Sequence, residues 1–390
     1  MFYTVLSYSI GMPLTLKSAY QYRLWLTKGQ ERLLGEMLET CRWVYNETLA
    51  TRKRAWEEQG ETLSLYATQT LLPDWKAERP ALKRVHSQVL QNVQVRLDLA
   101  FKAFFRRVKA GEEPGYPRFK GFGRYDSITY PQYGNGARLE GTALVLSKIG
   151  SVRVNLHRPV EGRIKTVTLR RSSTGKWFVS FAVEREVEPP TDVPDAAVGV
   201  DVGLEKFATL STGETIANPR FFRQDERDLA RAQRRLSEQP KGTFERAKRR
   251  KVVARIHERI ANRRKNFAHQ ESRKLVDRFG TVVFEDLSIT RMVKNHCLAK
   301  SIADAAWGQL IQYTTNKAEG AGRCVVLVDP RGTSQQCSRC GAVVKKALSV
   351  RVHQCPHCGL EIDRDLNAAY NILRRGLPSQ GYEPQEAPRL

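Results

Sequence analysis

A chain of 390 residues with 65 Lys and Arg against 41 Asp and Glu, a formal charge of +24, is too long for one ordinary core; two or three domains and a polyanionic partner, nucleic acid first, are expected. Its 41% of hydrophobic residues suffices to fold them, and the absence of an apolar run of 18 or more argues against a spanning helix.

The opening MFYTVLSYSIGMPL lacks the basic start and cleavage pattern of a signal peptide, and Met12 is as good a start as Met1. Residues 17–26, KSAYQYRLWL, alternate polar and apolar side chains and predict a strand with one buried face. Thr27 and Gln30 then make a T-x-x-Q capping box. Leu33, Leu34, Met37, Leu38, Cys41, Val44, Tyr45 and Leu49 follow at helical spacing, so a helix should run to about Gly60. Val85, Val89, Val93, Leu97, Phe101 and Phe104 share one face of a second long helix. Residues 112–136 mix Gly, Pro, basic and aromatic residues without a period and read as a loop-rich connection. Within it Arg118 and Lys120 stand among aromatics that could stack unpaired bases; a turn packed on its own domain is the bland alternative. TALVLSKI, SVRVNL, GRIKTVTLRR and KWFVSFAVE read as strands. If the strand at 17–26 pairs with them, residues 27–112 are a helical insertion in a small β domain made of 1–26 and 113–190. A linker rich in Pro and acid covers 186–196.

VGVDVGLEKFATLSTGETIA then predicts three strands, and a charged helical region spans 222–279. TVVFEDLSI is a short buried strand, ADAAWGQLIQYTTNKAEGAG a helix with a glycine stop, and CVVLVDP a further strand, which together point to an α/β domain with a mixed sheet. Arg246, Lys248, Arg249, Arg250, Lys251, Arg255, Arg259, Arg263, Arg264 and Lys265 crowd the charged helix. Such a cluster binds phosphates without regard to sequence, although a solvated face is the bland alternative.

Cys337, Cys340, Cys355 and Cys358 form C-x2-C-x14-C-x2-C, the spacing of a closed four-thiolate zinc site, with disulfides or an iron–sulfur centre as weaker alternatives. Cys41, Cys297 and Cys324 read as inert buried thiols of a reducing compartment. A closed zinc site holds a fold and performs no catalysis. Three separated acids are the candidates for chemistry: Asp201 and Glu285 end apolar strands, and Asp365 lies at the start of a helix in DRDLNAAYNI. Converging carboxylates hold hard divalent cations such as Mg2+, yet each acid could equally be a turn or cap residue.

GVDVGLEKFATLSTGE, VVFEDLSI, SIADAAWGQL, and DPRGTSQQCSRCG with CPHCGLEIDRDLNAAYNI, in this order over residues 195–373, resemble the TnpB family of transposon-encoded RNA-guided DNA nucleases. They look equally like the nuclease half of compact type V CRISPR effectors. The resemblance implies a multidomain α/β plus β protein. An RNase H-like, RuvC-type nuclease domain would occupy 191–336 and 359–373, with a zinc ribbon inserted at 337–358 to bind target nucleic acid. The front would be a β-barrel-like wedge domain with recognition helices at 27–112, and the end, 374–390, a disordered tail. By motif, Asp201, Glu285 and Asp365 become the catalytic acids, binding Mg2+, two ions in all, and Asp363 a cap. The order Asp, Glu, Asp differs from the Asp, Asp, Glu of cut-and-paste transposases. Implied partners are a guide RNA and double-stranded target DNA, with the protein a monomer on its RNA in a prokaryotic cytoplasm and no membrane involved. A CRISPR effector with array-derived guides, or a regulator that binds without cutting, are the alternatives.

Overall fold

The computed structural model of the chain describes residues 14–187, 194–347 and 349–377. Both alternative starts, Met1 and Met12, most of the expected linker, and the expected tail from residue 378 lie outside the described residues. Two compact units emerge, one spanning Thr15–Glu186 and the other the chain from Val187 onward.

In the first unit β1 (Leu14–Trp25) leads into α1 (Lys28–Gln59), whose capping box forms in both directions: Thr27 Oγ1 accepts from Gln30 N at 3.2 Å and Gln30 Oε1 from Thr27 N at 3.1 Å. Gly60, at φ 65°, stops the helix, since its left-handed backbone costs glycine little. Short helices α2 (Leu65–Gln69) and α3 (Leu72–Glu78) precede α4 (Ser87–Lys109), which buries Val89, Val93, Leu97 and Phe101 on the expected face. There follow β2 (Ser127–Tyr130), β3 (Ala137–Glu140), β4 (Ala143–Leu146), β5 (Gly150–Asn155), β6 (Arg163–Arg171) and β7 (Trp177–Val187). With β1 they form one sheet of order β2-β6-β7-β1-β5-β4-β3. Its two edge strands, β2 and β3, are joined by residues 131–136 alone, so the sheet must curl until its edges nearly meet, giving a barrel-like form. Strand β2 lies within 112–136, where only loop was expected: it has four residues, too few to show a period, yet buries Ile128 and Tyr130 completely. Leu34, Leu38 and Cys41 of α1 and Leu90 and Leu97 of α4 share one core with Tyr22, Val152, Val167 and Phe181 of the sheet. The helical segment therefore folds onto the β structure and has no core of its own. Burial pushes the Cys41 thiol up to about 12, as an inert core cysteine requires.

The second unit opens with an antiparallel meander, β8 (Ala197–Val202), β9 (Lys206–Leu210) and β10 (Thr215–Ala217). Helices α5 (Phe221–Ser237) and α6 (Phe244–Arg278) follow, then β11 (Thr281–Glu285), α7 (Ile289–Met292), α8 (Ala299–Ala305), α9 (Trp307–Gly320) and β12 (Cys324–Val328). The charged region expected as one helical run is thus broken: Pro240 and Gly242, the latter at φ 89°, interrupt it, and Thr243 caps a new helix by accepting from Arg246 N. Strands order as β10-β9-β8-β11-β12, with β8, β11 and β12 parallel, which is the RNase H-like arrangement. A last hairpin, β13 (Val352–Gln354) and β14 (Glu361–Asp363), precedes α10 (Arg364–Gly376). Residues 374–376, expected in the tail, complete this helix. One face of the sheet buries Val198, Val200, Phe207, Val282 and Phe284 with Leu275, Trp307 and Leu310 of the helices; the other buries Val283 and Val328 under Ile372 and Leu373 of α10. Among the described residues no helix is long and apolar enough to cross a membrane.

Candidate active site

Parallel pairing of β8 with β11 sets Val200 opposite Phe284, so one residue further on Asp201, next to last in β8, and Glu285, last in β11, follow in equal register and point to the same face, their backbones about 5 Å apart across the strands. Helix α10 brings the third acid. It lies against β8 at Gly199, where a Cβ would fall 2.2 Å from the Ala369 carbonyl oxygen and 2.7 Å from Leu373 N, so only glycine permits the approach. A turn earlier on the same helix is Asp365.

The electrostatics record the convergence. Burial first, then the charges of Glu285 and Asp365, push the Asp201 carboxyl well above the usual range, with Arg364 opposing. Glu285, 8% exposed, is raised by burial and drawn back by a hydrogen bond from Thr333 and by Arg375. A cluster of partly desolvated carboxylates repelling one another is the donor set of a hard divalent cation, which would relieve the repulsion. Asp201 has both other acids within electrostatic reach, which suits such an ion, while among the described residues only the four cysteines bring three or more ligand atoms within 4.8 Å of one another.

Asp363 is otherwise engaged. Its Oδ1 caps α10 by accepting from Asp365 N at 2.9 Å and Leu366 N at 3.1 Å, and its Oδ2 accepts from Lys206 Nζ at 2.9 Å. Burial raises its carboxyl, but Lys206 and these amides outweigh that and leave it below its ordinary value. Arg351 spans Glu205, at 2.8 Å, and Asp365, at 4.0 Å. From the same turn opens a groove of about 680 Å3, lined by Leu204, Glu205, Asn218, Arg220, Arg223, Ser301 and Asp304.

The four cysteine sulfurs lie within 4.8 Å of one another, with Cys337 to Cys358 at 3.6 Å and Cys340 to Cys355 at 3.5 Å, close to the ~3.8 Å edge of a zinc–sulfur tetrahedron. Two matching knuckles make the cluster. Cys337 N donates to Ala342 O and Gly341 N to Cys337 O; Cys355 N donates to Leu360 O and Gly359 N to Cys355 O. Both glycines hold positive φ, 78° and 69°. Of the lone cysteines, Cys324 is half-buried and Cys297 is exposed beside His296, not buried as expected, because the segment between α7 and α8 carries few apolar residues.

The basic helix divides. Arg246 holds the turn before it through Leu236 O and Gln239 O; Arg259 and Arg263 pair with buried Asp225; Arg264 binds buried Asp304 at 2.7 Å. These four brace α5, α6 and α8, a structural task that the spacing did not reveal. Lys248 pairs with Glu245 on the surface and Arg249 is half-buried, whereas Arg250, Lys251, Arg255 and Lys265 are exposed. In the first unit Arg118 and Lys120 are exposed on a loop that Asn46 clamps at Lys120 from both sides, N to Oδ1 at 2.8 Å and O to Nδ2 at 3.0 Å, with Phe119 and Phe122 turned to solvent.

Sequence reasoning missed the residues that fasten the site. Thr333 hydrogen-bonds Glu285, and Asn367, Asn371, Arg374 and Arg375 of α10 grip the chain from Asp329 to Ser338. Asn367 and Asn371 are four apart, hence on one helix face, and that spacing was the available signal.

Three family profiles match: OrfB_IS605, described as a probable transposase, over residues 180–296; the Cas12f1-like TNB domain over 307–372; and a helix-turn-helix domain over 12–61. Over the last of these the structure has one strand and one long helix. A Streptomyces pristinaespiralis protein that carries the name RNA-guided DNA endonuclease is 37% identical over 95% of this chain and 93% of its own length. InsQ of Escherichia coli K12, named likewise, is 32% identical over 92% of both chains. Among solved structures, the cryo-EM structure of a Cas12f1–sgRNA–target DNA complex shares the fold at a TM-score of 0.58, with 13% identity over 92% of this chain and 98% of that one.

Proposed function

The chain belongs to the TnpB family, and on that premise we propose that it is an RNA-guided DNA endonuclease, a hydrolase that cuts phosphodiesters at a single RuvC-like site, its target selected by guide pairing and a short flanking motif. The observation that carries the reading is the convergence of Asp201, Glu285 and Asp365 at one end of the sheet, with the Asp201 carboxyl pushed up by burial and then by these two neighbours. Asp365 takes the third place because both oxygens of Asp363 are occupied.

These acids would hold Mg2+, two ions in our reading; when bound, the ions supply charge neutralisation at the scissile phosphate and activation of the attacking water. The chain's own residues do the rest. The Asp363 cap and Lys206 fix the start of α10, and the β8–α10 contact at Gly199 sets the spacing of Asp201 and Asp365. The four cysteines would hold a structural zinc ion in a ribbon that touches target nucleic acid. Arg250, Lys251, Arg255 and Lys265, with Arg118 and Lys120, would neutralise guide or heteroduplex phosphates. The acting species is a monomer on one RNA in a prokaryotic cytoplasm.

The test is cleavage of a matched plasmid in Mg2+ by guide-loaded protein. Asp201→Ala, Glu285→Ala and Asp365→Ala should each lose cleavage while keeping RNA binding; full cleavage by all three sinks the assignment. Binding of target without cleavage by the parent protein would favour a regulator instead.

A further inference from the structure

Thr333 is 3% exposed, and its hydroxyl donates to Glu285 Oε1 at 2.6 Å, with Pro330 O a longer alternative at 3.1 Å. A hydroxyl buried here needs a partner, and the shorter of its two contacts is to Glu285; valine, close to threonine in outline, would bury no polar atom. The residue is held in turn. Asn371, 2% exposed, donates through Nδ2 to Thr333 O at 2.8 Å and Gln336 O at 2.7 Å, and fully buried Asn367 donates to Gln336 O at 2.8 Å while accepting from Ser338 N at 2.9 Å. Two buried amides on one face of α10 thereby pin residues 333–338, which begin at the hydroxyl on Glu285 and run into the first zinc-ribbon cysteine, Cys337.

We propose that Thr333 is a positioning residue that turns the Glu285 carboxylate so that its free oxygen faces the divalent-cation site, and that Asn371 holds Thr333 in place, so that α10, the ribbon's first knuckle and the second acid are set as one piece. A carboxylate ligand needs such a partner, because a freely rotating carboxylate offers its oxygen to the ion only part of the time. The inference rests on the metal-site reading above.

The experiment titrates Mn2+ into the nucleic-acid-free protein by calorimetry and, separately, follows cleavage by the guide-loaded protein against Mg2+ concentration. Thr333→Val should keep its zinc and its melting transition while the Mn2+ dissociation constant and the Mg2+ midpoint rise about tenfold. Thr333→Ser should restore both to near the parent values, and Asn371→Leu should shift them in the same direction by less. If Thr333→Val does not fold, Thr333→Ala must show the same rise. Unchanged metal binding in a folded variant lacking the hydroxyl, or a serine variant as weak as valine, overturns the proposal. Asp201→Ala separates the two readings: if it binds Mn2+ like the parent, the acid site itself is misassigned, whereas if it loses Mn2+ and Thr333→Val does not, only the role of Thr333 falls.

Discussion

The cysteine cluster and the acid site both gather ligands that repel one another once ionised, and they do so by opposite means. The ribbon draws its four sulfurs from residues 337–358, two knuckles of the same build, around a core of Cys337, Cys355 and Leu360. On the zinc reading, so small a core would not fold without its ion. The acids come from residues 201, 285 and 365, the first two seated on strands whose Val198, Val200, Val283 and Phe284 are fully buried and the third on α10 packed against them. Asp201 and Glu285 are set in register by the sheet, and Asp365 is set against it by α10. On the proposed reading, metal would make one site and complete the other.

Experiments can break that contrast one side at a time. Largest in effect is removal of an acid: Asp201→Ala or Glu285→Ala should lower the cleavage rate about a thousandfold or more with zinc content unchanged, read by plasmid cleavage and metal analysis. Cys337→Ser does the reverse, losing zinc and opening residues 337–358 to protease while the main cooperative melt persists. Gly199→Ala strikes the scaffold: with the Ala369 carbonyl 2.2 Å from the new Cβ, α10 must move, costing about 1–3 kcal/mol in denaturant melts and carrying Asp365 out of place with zinc retained.

Smaller effects sharpen the picture of an acid site under strain without its ion. Because burial and its neighbours raise the Asp201 carboxyl in the folded state, the folded protein holds a proton there that the unfolded chain has released, so stability of the metal-free protein falls as pH rises from the ordinary carboxylate range toward the raised folded value. Asp201→Asn should therefore raise the metal-free melting temperature at pH 7 by about a few degrees, with the gain fading toward pH 4. Smallest is Asp363→Ala, which removes a helix cap worth about 1 kcal/mol and should leave cleavage within several-fold of the parent.

What could be read from residues alone follows the range of the interaction. The capping box of Thr27 and Gln30, the glycine stop at Gly60 and the cysteine knuckles are local, and they were legible. The acids stood out as candidates only as a set of motifs in order, since spacing left each as a turn or cap residue. Strand β2 was hidden by its four-residue length. Arg259 and Arg264 looked like free phosphate binders because their acidic partners, Asp225 and Asp304, stand 34 and 40 residues away and become neighbours only once α5, α6 and α8 pack. Cys297 misled for the opposite reason, a thiol in a segment with too few apolar neighbours to make a core around it.

The position of α10 also bears on when the enzyme is born. A chain is made from its N-terminus and its domains fold in that order, so the barrel-like unit, its helices and the first two acids exist before the last acid has been translated. On the proposed assignment a nascent chain, or any product that stops short of residue 365, holds Asp201 and Glu285 yet is inert toward DNA. On that assignment the cutting function would be withheld until residue 365 has been made, by the order of residues in the chain and without any inhibitor.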